Sequence, residues 1–499
     1  MLINDASNSK RCAGCKEDVE LERNTQGPQG GAGNHQTWLN AQRDPFVLKF
    51  PPEISNLLSH FSPFHGHRIR RRVTNAVCSG VRLLRMAWST PELWSTVSFR
   101  LGKPPRKPEG LSQLEAVGDW LQLSGDVPLT LRVLKYWGAD SVSQEGCYSL
   151  IDILNQHSER WEKLLLHIPA SFSPHLRGTS PPSRLCDLHV IGEHQYPTLT
   201  FKMRSRPSPT NLTISYFSMS TFDISWDNLT FLEMTLTTFD GCIEAIQKAP
   251  LLEMCSIELC CVDSLPSIPN ITVRHMRLRT LKLFGFPTEP LCDFLDVLKL
   301  PFLQTYHYHT PYLDIFMDNV ISFVNRSGMD LRQLAFDVFS TRNEDLKKLL
   351  SAVPFLQDLH LDFWCKDNAS IIRELFEDLS SSAPVLGDGP GFLPSLQSLT
   401  ICNSGIFIWE CISRLFNSPH RKLLRLEINK RGKIQIDILR KIPRLIDEGF
   451  NVRIIGSSGD VDFQQVKESS GKEGEPRKRD KQGFLASFSS FISCLFGRR

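Results

Sequence analysis

A six-residue pattern, apolar-x-x-apolar-x-apolar, recurs through the middle of this chain and limits its fold more than any other feature. It is read on Leu185-Leu188-Val190, Leu229-Leu232-Met234, Leu278-Leu281-Leu283 and Leu331-Leu334-Phe336. Further copies lie at Leu356-Leu359-Leu361, Leu396-Leu399-Ile401 and Leu423-Leu426-Ile428. Weaker copies start at Trp161 (with Leu164 and Leu166), Leu252 (with Cys255 and Ile257) and Phe302 (with Thr305 and His307). One more is placed at position 209, where Leu212 and Ile214 are the apolar members. The starts are 161, 185, 209, 229, 252, 278, 302, 331, 356, 396 and 423, with one long interval that holds the Gly/Pro-rich "SSAPVLGDGPGF" (Ser381 to Phe392). The other intervals match or approach the 20–29 residue period of leucine-rich repeats.

The alternating end of each copy predicts a short strand with one face turned inward. The segments between copies read as helices. In "NEDLKKLLSAVP" (Asn343 to Pro354), Leu346, Leu349, Leu350 and Val353 recur at i, i+3, i+4 and i+7. Asn343 is placed as the N-cap, and Pro354 ends the helix before the next strand. "PLCDFLDVLKLP" (Pro290 to Pro301) reads the same way. One strand and one helix cannot bury their apolar faces alone, whereas a stack of such units makes a continuous core beside a parallel sheet. The expected fold is therefore α/β: a leucine-rich-repeat-like solenoid over 120–456, a curved parallel sheet plus helices. A compact α/β domain is the competing fold, but no Gly-rich strand-to-helix turn accompanies the units. The Asn of the regular leucine-rich consensus is mostly missing, so the repeats are irregular.

The chain has 499 residues, 41% hydrophobic and 22% charged, so most of it can bury a core. A net charge of +3 gives no bulk argument for nucleic-acid binding. Residues 1–45 are polar and contain "TQGPQGGAGN", a disordered lead-in by composition. Residues 457–482 form a charged linker, and 483–499, "GFLASFSSFISCLFGRR", an apolar amphipathic tail. In that tail Phe484, Phe488, Phe491 and Leu495 follow helical spacing beside Leu485 and Ile492, just after the basic Arg477, Lys478, Arg479 and Lys481. It reads as a membrane-surface contact with an acylatable Cys494, as a segment docked on the end of the solenoid, or as disordered chain. The fourteen cysteines show no disulfide framework and fit buried free thiols in a reducing compartment. Without a secretory signal or an 18-residue apolar run, the expected location is cytoplasmic, nuclear or both.

No catalytic or cofactor motif emerges. Cys12 and Cys15 lack a second Cys/His pair at zinc spacing, so no metal site is expected. His307 and His309 share a strand face but read as packed or surface residues. Gly387 to Gly391 lacks the Lys and Ser/Thr of a phosphate loop, and no Gly-x-Ser-x-Gly or His-Glu-x-x-His occurs. The chain is expected to be no enzyme and to need no cofactor.

Ahead of the repeats, "FPPEISNLLSHF" reads as a short amphipathic helix on Ile54, Leu57, Leu58 and Phe61. A second helix, Val73 to Thr90, stops at Thr90-Pro91, and "PELWSTVSF" turns into a strand-like run. Pro51, Pro52, Glu53 and Ile54, then Val77 and Cys78, then Ser89, Thr90, Pro91, Leu93, Trp94 and Ser95 resemble the F-box of fungal (basidiomycete-type) F-box proteins with irregular leucine-rich repeats. The likeness covers about 45–456 and makes 48–99 a small helical F-box-like module. It implies a substrate-receptor subunit of a cullin-based (SCF-type) ubiquitin ligase, without catalysis of its own. The adaptor-binding residues it implies are Pro51, Pro52, Ile54, Leu57, Leu58, Val77, Cys78, Pro91, Leu93 and Trp94, and the partners a Skp-type adaptor and an unidentified protein substrate. A repeat scaffold without a ligase link, in which Trp88 and Trp94 only cap the repeat core, is the alternative.

Overall fold

A computed structural model describes residues 89–101, 110–135, 144–177, 184–192, 200–217, 219–237, 239–259, 272–286, 288–309, 317–338, 343–363, 368–381, 391–403, 410–417, 421–430, 443–456 and 459–460. The first part of the chain alternates strands and helices: β1 (Thr96–Leu101), α1 (Gly110–Leu123), β2 (Leu129–Lys135), α2 (Gln144–Asn155) and β3 (Trp161–His167). Five strands then follow with no α-helix between them among the described residues: β4 (Asp187–Ile191), β5 (Phe201–Lys202), β6 (Asn211–Ser215), β7 (Phe222–Asp223) and β8 (Phe231–Thr237). Next come α3 (Phe239–Lys248), β9 (Met254–Leu259), β10 (Val273–Arg274), β11 (Thr280–Phe284), α4 (Thr288–Val297) and β12 (Leu298–Lys299). Regular alternation resumes with β13 (Thr305–His309), α5 (Met317–Ser327), β14 (Gln333–Val338), α6 (Asn343–Ser351), β15 (Asp358–Phe363) and α7 (Ala369–Ser381). The described chain closes with β16 (Ser398–Asn403), α8 (Glu410–Asn417), β17 (Arg425–Lys430), β18 (Val452–Gly456) and β19 (Gly459–Asp460).

Among the described residues fifteen strands form one sheet in the order β1-β2-β3-β4-β6-β8-β9-β11-β13-β14-β15-β16-β17-β18-β19. The pairings from β1 to β18 are all parallel, and β19 turns back antiparallel on β18. Spatial order follows chain order, an arrangement compatible with a solenoid. The register is kept by the apolar repeat: Val97 lies beside Leu131, Leu131 beside Leu164, and the ladder continues through Leu232, Leu281 and Leu359 to Leu426 beside Val452. Every residue of this ladder is buried, because period-two alternation sends it to the face that packs on the helices. Burying each leucine contributes about 1.5–3 kcal/mol, and one contiguous core runs from Trp94 to Ile454.

Two expected copies are out of frame. At the copy placed on Phe302, Thr305 and His307, the buried residues are Leu303, Tyr306 and Tyr308, and Phe302 is 54% exposed. Two tyrosines in place of leucines concealed the frame. Tyr308 keeps its hydroxyl satisfied inside the core by donating to the Phe286 carbonyl at 3.1 Å. At the last copy Leu423 is 93% exposed and Leu424 takes the buried position, one residue closer to Leu426 than elsewhere. The array also starts earlier than its clearest copies, since β1 and β2 extend the same ladder. Asn343 is the first residue of α6 rather than its cap, and its Oδ1 has no hydrogen-bond partner among the described residues.

Buried cations close several helix ends against the next unit. Arg421, only 1% exposed, donates to the carbonyls of Leu379, Leu393 and Phe392 at 3.3, 2.9 and 2.5 Å. Arg160 does the same for Leu121 and Val127, at 3.3 Å and 3.1–3.2 Å, and also donates to the Ser124 hydroxyl. The Leu121, Val127 and Leu379 carbonyls are orphan acceptors at helix C-termini and the turn after α1, and those of Phe392 and Leu393 lie in the turn before β16; none can be left bare in a core. No helix among the described residues is long and apolar enough to cross a membrane.

Candidate functional site

The sheet face turned away from the core presents one middle residue from each strand, between the two buried members of the ladder. Across β6 to β18 these are Thr213, Glu233, Ser256, Lys282, His307, Ala335, His360, Thr400, Glu427 and Arg453, each registered on its neighbour. A second outward row, two residues further along, carries Asp337, Asp362, Cys402 and Asn429 in adjacent register. Parallel strands about 4.8 Å apart turn a sequence repeat into a continuous polar surface.

The rows interlock. His309 Nδ1 lies 2.8 Å from Asp337 Oδ2, and Asp337 is only 3% exposed although it alternates outward. His360 Nε2 lies 3.6 Å from the Cys402 thiol, and Asn429 Nδ2 donates to that sulfur at 3.4 Å. Glu427 receives Arg425 at 3.2 Å and Arg453 at 3.5 Å, so charge at the β17–β18 end is largely compensated. Such exposed pairs individually contribute little to stability, roughly 0–1 kcal/mol.

Electrostatics differ along the face. Burial, then the neighbouring Glu258, pushes the Glu233 carboxyl up, while Lys282 and a hydrogen bond from Thr213 pull it back. Burial also raises Glu258. His307 is held down to about 4 by burial first, then by the positive Lys282 and by His360, so its imidazole is neutral at physiological pH. Acceptors therefore gather on β8–β9 and β14–β15 around a Lys282–His307 centre. The arrangement offers donors and acceptors at strand spacing, suited to the side chains and backbone of another polypeptide.

The expected adaptor residues fall in two groups. Pro51, Pro52, Ile54, Leu57, Leu58, Val77 and Cys78, with the helix expected at Phe50 to Phe61 and all but Ser89 and Thr90 of the one expected at Val73 to Thr90, lie outside the described residues. Pro91, Leu93 and Trp94 form a 3₁₀ turn, Pro91–Trp94, directly before β1. Leu93 packs against the core and Trp94 is buried in it. Trp120 Nε1 of α1 donates to the Trp94 carbonyl at 2.9 Å, and the two indoles meet edge to face with centroids 4.9 Å apart.

No family model matches this chain. Nor does any curated protein match it. The site is thus defined by its own geometry.

Sequence reasoning placed His307 and His309 on one strand face, where the structure also has them, but missed Asp337, His360, Asp362, Cys402 and Asn429 as their neighbours. The available signal was the outward parity of each strand, which becomes informative only once register is known. The seven described cysteines are free thiols, and burial pushes Cys255 up to about 12, as expected of packed rather than reactive cysteines. Among the described residues no three His, Cys, Asp or Glu side chains are grouped to hold a metal ion, and Cys12 and Cys15 lie outside them.

Proposed function

We propose that the chain is a protein-binding solenoid of the leucine-rich-repeat type, acting as the substrate receptor of a cullin-based (SCF-type) ubiquitin ligase. The observation that carries this reading is the long parallel sheet face, where polar side chains recur strand after strand above an unbroken apolar core. Such a face costs little to vary and binds by summing many small contacts, which suits recognition of a protein substrate. The ligase link is supported by the F-box-like residues from Pro51 to Ser95. The full chain used as bait is expected to retain a Skp-type adaptor, and Leu57→Asp with Leu58→Asp is expected to abolish retention without unfolding the chain. Retention unchanged by that double substitution would sink the adaptor assignment.

A second reading is favoured by the packing of Trp94. Its indole and carbonyl are both engaged by Trp120, which is what an end cap of a repeat core requires. In this reading the chain is a repeat scaffold with no ligase link. Trp94→Ala costs about 3–5 kcal/mol in either case, so stability does not separate the readings. Adaptor capture by the full chain does.

A further inference from the structure

The turns that lead into successive strands are tied together by their backbones along the starting edge of the sheet. Gln304 N–H donates to Arg279 O, Arg332 to Gln304, Gln357 to Arg332, Gln397 to Gln357 and Arg425 to Gln397, each at 2.8 Å. Two residues before each donor, the same turn position is therefore held in line from β13 to β17. It is occupied by Phe302, Asp330, Phe355, Ser395 and Leu423. Phe302 is 54% exposed, Phe355 58% and Leu423 93%. Large apolar side chains thus stand out on every second strand, with an exposed carboxylate, Asp330, between the two phenylalanines. Scattered exposed apolar residues are ordinary, whereas a row fixed in register is a surface.

We propose that the apolar segment Phe484 to Leu495 of this same chain docks on that row as an amphipathic helix. Four strand spacings separate Phe302 from Leu423, about 19 Å. The stripe of Phe484, Phe488, Phe491 and Leu495 spans about 16 Å as a helix, before side-chain reach is added. The route is also short. β19 runs antiparallel to β18, so at Asp460 the chain is heading back toward the edge where the row lies, two strands from Leu423. The intervening stretch, 461–483, counts 23 residues, and a flexible polar chain of that length would cover roughly 24–29 Å on average. The cations Arg477, Lys478, Arg479 and Lys481 directly precede the apolar stripe in sequence, and on the row Asp330 is the opposite charge they would meet, among the exposed Arg332, Lys422 and Arg425. Tethering at this length gives the docking partner a high effective concentration. The proposal is independent of the ligase assignment.

The test places a photo-crosslinking benzoylphenylalanine at position 355 of the full chain and maps the products by mass spectrometry. Capture of peptides within 484–495 is expected, with a yield independent of protein concentration. Phe488→Asp with Phe491→Asp should lower that yield at least about tenfold, since a carboxylate resists burial, and Asp330→Lys should lower it less. Yield rising with protein concentration would assign the row to a second copy instead. Yield unchanged by the Phe488 and Phe491 substitutions would overturn the proposal. So would absence of capture in a chain that floats with vesicles containing phosphatidylserine through those same phenylalanines.

Discussion

From β13 to β16 one helix follows every strand, whereas from β3 to β8 the described chain builds the same sheet with no α-helix at all. Both regions hold the same parallel register, and both bury the same ladder positions. What differs is the layer behind the sheet. In the helix-free region it consists of 3₁₀ turns, the small β5–β7 pair and aromatic rings. Phe201 and Phe222 stack with centroids 4.6 Å apart, and Phe217 meets both edge-on. The reason lies in the sequence: Pro174, Pro207 and Pro209 interrupt segments that a helix would need, and Leu212 is followed by its successor Leu232 after only twenty residues. In the helical region Pro301, Pro354 and Pro394 sit in turns before strands, and Pro290 sits in the first turn of α4, where a missing N–H breaks no helical hydrogen bond. Strand alternation thus specifies the sheet, and the backing layer can be made by any elements that fill its volume.

The sharpest test of that equivalence compares one residue from each backing layer. Phe222→Ala should cost about 4 kcal/mol and Leu349→Ala about 3 kcal/mol, the usual range for emptied core positions. Urea denaturation of the two variants checks this; a Phe222→Ala cost near that of a surface substitution would show that the rings do not replace the helices.

The next effect concerns the joints. Arg421→Met keeps volume but strips three carbonyls, one at the end of α7 and two in the turn before β16, of their donor, and about 3 kcal/mol of stability should go with it. Arg160→Met tests the corresponding joint before β3. Similar losses at both would mean that the joints before β3 and before β17 are closed by one device, and a loss at Arg421 alone would break the parallel.

A pH effect should follow from the helical region. His307 titrates near 4 in the folded chain against an ordinary 6.5, so the unfolded chain binds the extra proton between those values. Stability contributed by the neutral imidazole is therefore complete above pH 6.5 and lost as pH falls toward 4, about 2 kcal/mol in all after allowance for partial exposure. His307→Gln should flatten that part of the pH dependence in thermal melts at pH 7 and 4.5. An unchanged slope in the variant would remove His307 from the account.

The smallest effects compare two glycines that follow outward-facing strand ends. A Cβ on Gly192 would lie 2.9 Å from both the Phe217 ring and the Tyr216 carbonyl, so Gly192→Ala should cost about 1–2 kcal/mol by crowding the aromatic layer. Gly285 has a φ of +68°, and Gly285→Ala should cost about 1 kcal/mol through backbone strain alone. A Phe217→Leu background should lessen the first, leaving only the crowding against the Tyr216 carbonyl, and leave the second untouched.

Much of this architecture was legible beforehand where leucine itself marks the buried positions. Leu278-Leu281-Leu283 and Leu356-Leu359-Leu361 gave frame, strand and face together. The frame slipped where tyrosines replaced leucines at Tyr306 and Tyr308, because alternation with His307 and His309 left parity ambiguous and the exposed Phe302 completed a false copy. It slipped again at Leu423, where two adjacent leucines differ only in which one the turn points inward. Helices were expected behind every strand, and the proline-rich stretches around Pro207 had argued against that.

Periodicity in the sequence by itself determined that the chain stacks strands in order, since apolar residues at a fixed repeat can be buried only by neighbouring copies of the same unit. Only the tertiary structure decided what faces outward together. Asp337 meets His309 and Cys402 meets His360 across intervals of 28 and 42 residues, distances in sequence that no local pattern encodes. Those pairings depend on lateral register, and register is fixed by the buried face rather than by the polar residues it brings into line.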